Sequence, residues 1–74
     1  MQVTIKLYAS LALGRFRTES RDFPAGTGIG DIAAALGIPA DQLGIVLRNG
    51  THAGVEQLVA EGDTISLLPL IGGG

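Results

Sequence analysis

The sequence contains no cysteine. That absence removes disulfide bridges, thiolate metal ligands and a thiol nucleophile together, and leaves stability to the apolar core. Histidine occurs once, at His52, so the ordinary zinc sites built from several His and Cys ligands cannot be assembled. No apolar run approaches the roughly 18 residues of a membrane-spanning helix. The first residues, Met1-Gln2-Val3-Thr4-Ile5-Lys6, read as a strand rather than as a charged region followed by an apolar one, so no secretory leader is expected. Cations are few and scattered: Lys6, Arg15, Arg17, Arg21 and Arg48 stand among seven acids, for a net charge of −2. Binding to phosphate backbones or anionic lipid concentrates positive charge on one face, so neither nucleic acid nor membrane is an expected partner. A cytoplasmic location is the simplest expectation.

The chain has 74 residues, 46% of them hydrophobic and 16% charged. That balance belongs to a folded chain rather than a disordered one. The length fits one domain, and a chain this short buries only about 60% of the surface its unfolded form exposes. Ligand pockets usually take roughly 300–1,000 Å³, which is hard to combine with a core of this size. A free-standing enzyme is therefore not expected.

Gln2 to Tyr8 alternates, with Val3, Ile5 and Leu7 on one side; period two with β-branched residues predicts a half-buried strand. Ala9 to Gly14 is a link of small residues, and Phe16 to Phe23 alternates more weakly, as a second, more exposed strand antiparallel to the first. After Pro24-Ala25-Gly26, Thr27 is the expected N-cap of a helix. Ile29, Ile32, Ala33 and Leu36 form its apolar stripe, Asp31 suits its first turn, and Gly37 with Pro39 ends it, giving a helix from about Gly28 to Leu36. Gly44 to Arg48 is a short strand, followed by the hairpin turn Asn49-Gly50. Val55, Leu58 and Val59 suggest a helical turn or short strand against the core. Glu61-Gly62-Asp63 turns the chain into a last strand, Thr64 to Leu70, with Ile65 and Leu67 facing the core and Pro69 near its end.

The order is β-β-α-β-(short element)-β. The helix can bury its stripe only against one face of the sheet. The first and last strands both read as central and lie far apart in sequence, so they are expected to pair in parallel. The predicted architecture is α+β, a β-grasp with a mixed sheet of four to five strands packed on one main helix. Residues 1–71 form the domain, and residues 72–74 form a flexible tail.

Two other features invite chemistry and do not support it. Gly26-Thr27-Gly28-Ile29-Gly30 looks like a phosphate loop, but Asp31 stands where the dinucleotide fingerprint needs its third glycine, and no Walker lysine follows. His52 lies just past a hairpin turn, where it is expected to be solvated. No serine occupies a nucleophile-elbow pattern.

The tail Gly72-Gly73-Gly74 is either a frayed end or a reactive one. Without Cβ atoms, such a segment threads a narrow slot and leaves its terminal carbonyl unhindered. An α-carboxyl has a reference pKa of about 3.3–3.7 and is ionised at neutral pH. It is a poor electrophile until a leaving group is attached, which adenylation by ATP supplies. A sulfur or nitrogen nucleophile then displaces AMP, with the machinery residing in a partner enzyme. Leu68, Leu70 and Ile71 beside the tail are candidates for a docking patch, with Arg48 and Arg17 as charged rim contacts.

From end to end the chain resembles the MoaD/ThiS family of ubiquitin-like β-grasp sulfur carriers. The resemblance rests on Val3-Thr4-Ile5-Lys6-Leu7-Tyr8-Ala9, Thr27-Gly28-Ile29-Gly30-Asp31-Ile32, Arg48-Asn49-Gly50, Leu58 with Glu61-Gly62-Asp63, and the glycine end. Leu7-Tyr8-Ala9 makes it more similar to the small subunit of molybdopterin synthase than to the thiazole carrier. The resemblance implies that the terminal glycine is adenylated by an E1-like enzyme and converted to a thiocarboxylate that donates sulfur in molybdopterin or related cofactor biosynthesis. On that basis Gly74 and Gly73 are the reactive positions, and Gly72, Ile71, Leu70, Leu68 and Arg48 bind partners. No cofactor is held permanently; ATP is used by the partner enzyme. A molybdopterin-synthase large subunit or another sulfur acceptor is the second partner, and the chain alone is expected to be monomeric. The family typically ends in two glycines and this sequence shows three, so the reactive residue is Gly74, or Gly73 after trimming. The other readings are a ubiquitin-like modifier conjugated through the same glycine, and a non-catalytic β-grasp interaction module.

Overall fold

The computed structural model describes residues 1–71. Alternation in the first segment produces β1 (Gln2–Leu7), with Val3, Ile5 and Leu7 buried. A 3-10 turn at Ala9–Ala12 leads to β2 (Thr18–Asp22), shorter than the expected Phe16–Phe23. Phe16 and Phe23 flank the strand and pack against the core from outside it. Helix α1 covers Ile29–Ala35 and buries Ile29, Ile32 and Ala33. A 3-10 turn at Ala40–Gln42 precedes β3 (Leu43–Arg48), β4 is the two-residue Thr51–His52, and β5 covers Thr64–Pro69.

The five strands lie in the order β2-β1-β5-β3-β4. β1 and β5 pair in parallel through Thr4–Thr64 to Leu7–Leu67, as their central, apolar character predicts, and the other pairs are antiparallel. Ile65 and Leu67 of β5 join the β1 residues under the helix. This is the ubiquitin-like β-grasp, with five strands and one main helix.

The helix start differs from expectation. Gly28, not Thr27, is the N-cap. The Thr27 hydroxyl donates to the Pro24 carbonyl at 2.7 Å, which withdraws it from the helix. Asp31 takes over, its carboxylate accepting from the Gly28 N–H at 2.8 Å, so the acid expected to suit the dipole also binds the end of the helix. The helix closes at its other end through a side chain from elsewhere: the Arg15 guanidinium donates to the carbonyls of Leu36 (2.9 Å), Gly37 (3.0 Å) and Leu11 (3.1 Å).

Asn49 and Gly50 both take positive φ, 52° and 82°, the conformation of a primed two-residue hairpin turn. Val55 and Leu58 are exposed and only Val59 is buried. The segment is held as irregular chain, with a single bridge between Gly28 and Leu58 and a bond from the Val59 N–H to the Thr27 carbonyl at 3.0 Å.

Candidate functional site

The glycines Gly72, Gly73 and Gly74 lie outside the described residues, so the site is the platform that leads into them. Its centre is the end of β5. The register between β3 and β5 shifts there: Ile45 faces Leu68, but Leu43 faces Pro69, leaving Gly44 as the extra residue of a bulge. An extra residue inverts the side on which the following side chains fall. Leu43 accordingly packs on the core, whereas Ile45, of the same parity, is exposed.

Gly44 also lets the chain pass. A Cβ at this position would lie 2.5 Å from the Pro69 carbonyl oxygen and 2.9 Å from the Leu70 Cα. The Leu70 N–H donates to the Gln42 carbonyl at 3.0 Å, one residue beyond the end of β5. Pro69, which has no N–H, sits as the last residue of that strand. The tail therefore departs from a fixed point in mid-sheet, with Leu70 58% and Ile71 85% exposed.

Leu68 is half-buried and pairs with exposed Ile45. Tyr8, one step past the Leu7–Leu67 pair, is exposed on the same sheet face and anchored by its N–H to the Leu67 carbonyl at 3.2 Å. Ile45, Leu68 and Tyr8 thus gather with Leu70 and Ile71 at one end of the sheet. Beside Tyr8 opens a groove of about 560 Å³ lined in part by Lys6, Leu13, Phe16 and Arg17. Arg17 stands at the tail end of the sheet.

Arg48 does not. It faces Ile65, six residues before Ile71, roughly 20 Å away along an extended chain. Its Nε donates to Asp63 Oδ2 at 2.7 Å. Asp63 is buried and also accepts from Asn49 Nδ2 at 2.9 Å and from the Ala60 N–H at 2.8 Å. Asn49 Oδ1 in turn accepts from the Thr64 N–H at 2.9 Å. The Arg48 hydrogen bond, helped by those of Asn49 and Ala60 and opposed by burial, holds the Asp63 carboxyl below its ordinary range. Arg48-Asn49-Gly50 and Glu61-Gly62-Asp63 are thus two halves of one clamp that sets the start of β5.

Sequence reasoning missed Gly44 and Arg15. Gly44 carried a signal, since a glycine in a strand marks a bulge or close backbone approach. Arg15 carried none, because two of its three acceptors, the Leu36 and Gly37 carbonyls, are 21 and 22 residues away. Among the described residues, no three His, Asp or Glu side chains gather as a metal site.

Leu70 and Ile71 leave the end of β5 as an exposed apolar surface. The model of the Mut7-C ubiquitin family matches residues 2–72. No curated protein matches the chain. Among solved structures, small archaeal modifier protein 1 of Haloferax volcanii is 30% identical over 95% of this chain and 98% of its own, with a TM-score of 0.75. Urm1 of Trypanosoma brucei is 18% identical, covering 99% of this chain and 95% of its own, with a TM-score of 0.72. A chain from the protein–protein complex of subunits 1 and 2 of molybdopterin-converting factor of Helicobacter pylori is 18% identical over 100% of both, with a TM-score of 0.66. The ubiquitin-like β-grasp read from the sequence holds, and the chain belongs to the Mut7-C ubiquitin family.

Proposed function

We propose that this protein is a carrier that works through the carboxylate of Gly74, or of Gly73 once the extra glycine is trimmed. The observation that carries this reading is the exit of β5: a mid-sheet strand, fixed by the Gly44 bulge, ending in exposed Leu70 and Ile71 directly before three glycines. The carboxylate oxygen attacks the α-phosphorus of ATP on an E1-like enzyme, and pyrophosphate leaves. Sulfide (HS−) from the sulfur donor then attacks the acyl-adenylate carbon, the C–S bond forms as the C–O bond to AMP breaks, and AMP leaves. The product is a thiocarboxylate that passes sulfur to an acceptor in molybdopterin or related cofactor biosynthesis. The chain supplies the handle and the reacting carbon, and its partners supply catalysis. We place this chemistry in the cytoplasm, with ATP consumed by the partner and nothing bound permanently to the carrier.

The Helicobacter complex joins subunits 1 and 2 of molybdopterin-converting factor, and the full-length match to one of its chains supports a large-subunit partner. Tyr8, Ile45, Leu68, Leu70 and Ile71 form the docking patch in this reading, with Lys6 and Arg17 at its rim.

A second reading has its own observation. The 30% identical Haloferax relative is named a modifier protein, and a lysine amine on the same acyl-adenylate gives an isopeptide instead of a thiocarboxylate. Both readings require adenylation. The assay is ATP–pyrophosphate exchange by the adenylating enzyme of the source cell. Exchange that depends on this chain and disappears on deletion of Gly73 and Gly74 supports the shared step; exchange indifferent to the deletion overturns it. Conjugates of higher mass in the same cells, lost with the deletion, then select the modifier.

A further inference from the structure

Among the described residues, β2 ends the sheet on the side away from β4 and pairs on one flank only, with β1. Bonds at its two ends fix which backbone groups face inward. The Leu7 N–H donates to the Arg17 carbonyl at 2.8 Å, and the Phe23 N–H donates to the Met1 carbonyl at 2.8 Å. Hydrogen-bonded and non-bonded pairs alternate along an antiparallel ladder, so Arg17, Glu19, Arg21 and Phe23 bond toward β1. The N–H and C=O groups of Thr18, Ser20 and Asp22 point outward along the free edge.

The side chains on this edge are arranged symmetrically about Ser20. A second copy laid antiparallel, Ser20 against Ser20, sets Thr18 against Asp22 and Glu19 against Arg21, each twice. The Ser20 and Thr18–Asp22 pairs become the hydrogen-bonded ones and use every outward group of β2. The Glu19–Arg21 pairs fall at the non-bonded positions, where side chains approach most closely. Registers shifted by two residues set Glu19 against Glu19 or Arg21 against Arg21, so charge selects the one centred on Ser20. Within one chain Arg21 Nε already donates to Glu19 Oε2, and both side chains stay accessible, at 41% for Glu19 and 40% for Arg21, so the second copy extends this ion pair into a four-charge cluster across the axis. Arg21 is held at the edge by Phe16, whose ring centroid lies 5.3 Å from the guanidinium carbon.

We propose that β2 is a self-complementary edge through which two copies of this chain pair about Ser20, continuing the sheet across a twofold axis. This departs from the monomer expected from sequence. β5 is separated from the edge by β1, so the tail exits stay open in the dimer. The contact is short, five residues per copy, and the dimer is correspondingly weak and concentration-dependent.

The test is sedimentation of the full chain from about 10 μM to about 1 mM, a range that covers weak association. The wild type should move from 7.5 kDa toward twice that mass. Ser20→Pro removes an outward N–H and leaves the β1 ladder intact; it should stay at the single-chain mass with an unchanged circular dichroism spectrum. Glu19→Arg and Arg21→Glu each oppose like charges and should weaken association at least tenfold, whereas the double swap restores the opposition and should restore the dimer. A wild type that remains single at the highest concentration overturns the proposal, as does a Ser20→Pro chain that associates normally or a double swap no better than its parents.

Discussion

The carbonyl oxygen of Pro69 occupies the space that a side chain on Gly44 would need: a Cβ there would lie 2.5 Å from it. Because the obstacle is backbone on a core strand, neither side yields cheaply. Gly44→Ala should lower stability by about 1–3 kcal/mol, the usual cost of overpacking. It should also release the Leu70–Gln42 bond. Urea denaturation reads the first effect and hydrogen exchange at the Leu70 amide the second. If both remain as in the wild type, Gly44 does not set the tail exit.

The Asp63 clamp predicts an acid-sensitive fold. Its folded-state pKa is lowered, so its contribution is fully present above the unfolded value of about 3.9 and is lost as pH falls through that value toward the folded one. Asp63→Asn should cost about 2–3 kcal/mol at neutral pH, because buried bonds to Arg48, Asn49 and Ala60 lose their charged acceptor. The difference between variant and wild type should shrink near about pH 3. Urea midpoints at both pH values check the magnitude and the sign.

Arg15 ties the turn before β2 to the end of α1 through three main-chain carbonyls. Arg15→Ala should destabilise by about 1–2 kcal/mol, kept modest by solvent exposure. Arg15→Lys should recover only part of this, since a single ammonium cannot reproduce the fork. Thermal denaturation of the two variants decides it.

Leu70 and Ile71 should behave in the opposite way. Both are exposed, so Leu70→Asp and Ile71→Asp should leave stability within about 0.5 kcal/mol. Each should nonetheless raise the KM for this chain in the adenylation assay about tenfold, equivalent to about 1.4 kcal/mol of lost docking. An equal effect from Arg48→Ala in a chain of unchanged stability would contradict the assignment of Arg48 to the clamp.

The legible parts of this fold were those written in short-range patterns. Val3, Ile5 and Leu7, and Ile65 with Leu67, announced two core strands by alternation, and Asn49-Gly50 announced its turn. Features that depend on distant partners were not legible. Thr27 and Gly28 are both acceptable caps, and only the Pro24 carbonyl, which takes the Thr27 hydroxyl, decides between them. Arg48 resembled a rim contact because its partner, Asp63, lies 15 residues away. β2 reads too long at its start because Phe16 continues the alternation while packing on the core before the strand begins, whereas Phe23, one residue past Asp22, still donates its N–H to the Met1 carbonyl. At the site, Leu70 and Ile71 are exposed, in keeping with their place beside the glycines, while the glycine that aims them reads in the sequence only as the start of a strand.

The central claim is that the terminal glycine carboxylate is the reacting group. Intact-mass spectrometry of the chain, incubated with its adenylating enzyme, ATP and a sulfur donor, tests it most directly. The account predicts a gain of about 16 Da, one oxygen replaced by sulfur, on a chain ending at Gly74 or Gly73, and no gain after both glycines are deleted. An unchanged mass in the presence of an enzyme active on its other substrates would contradict it.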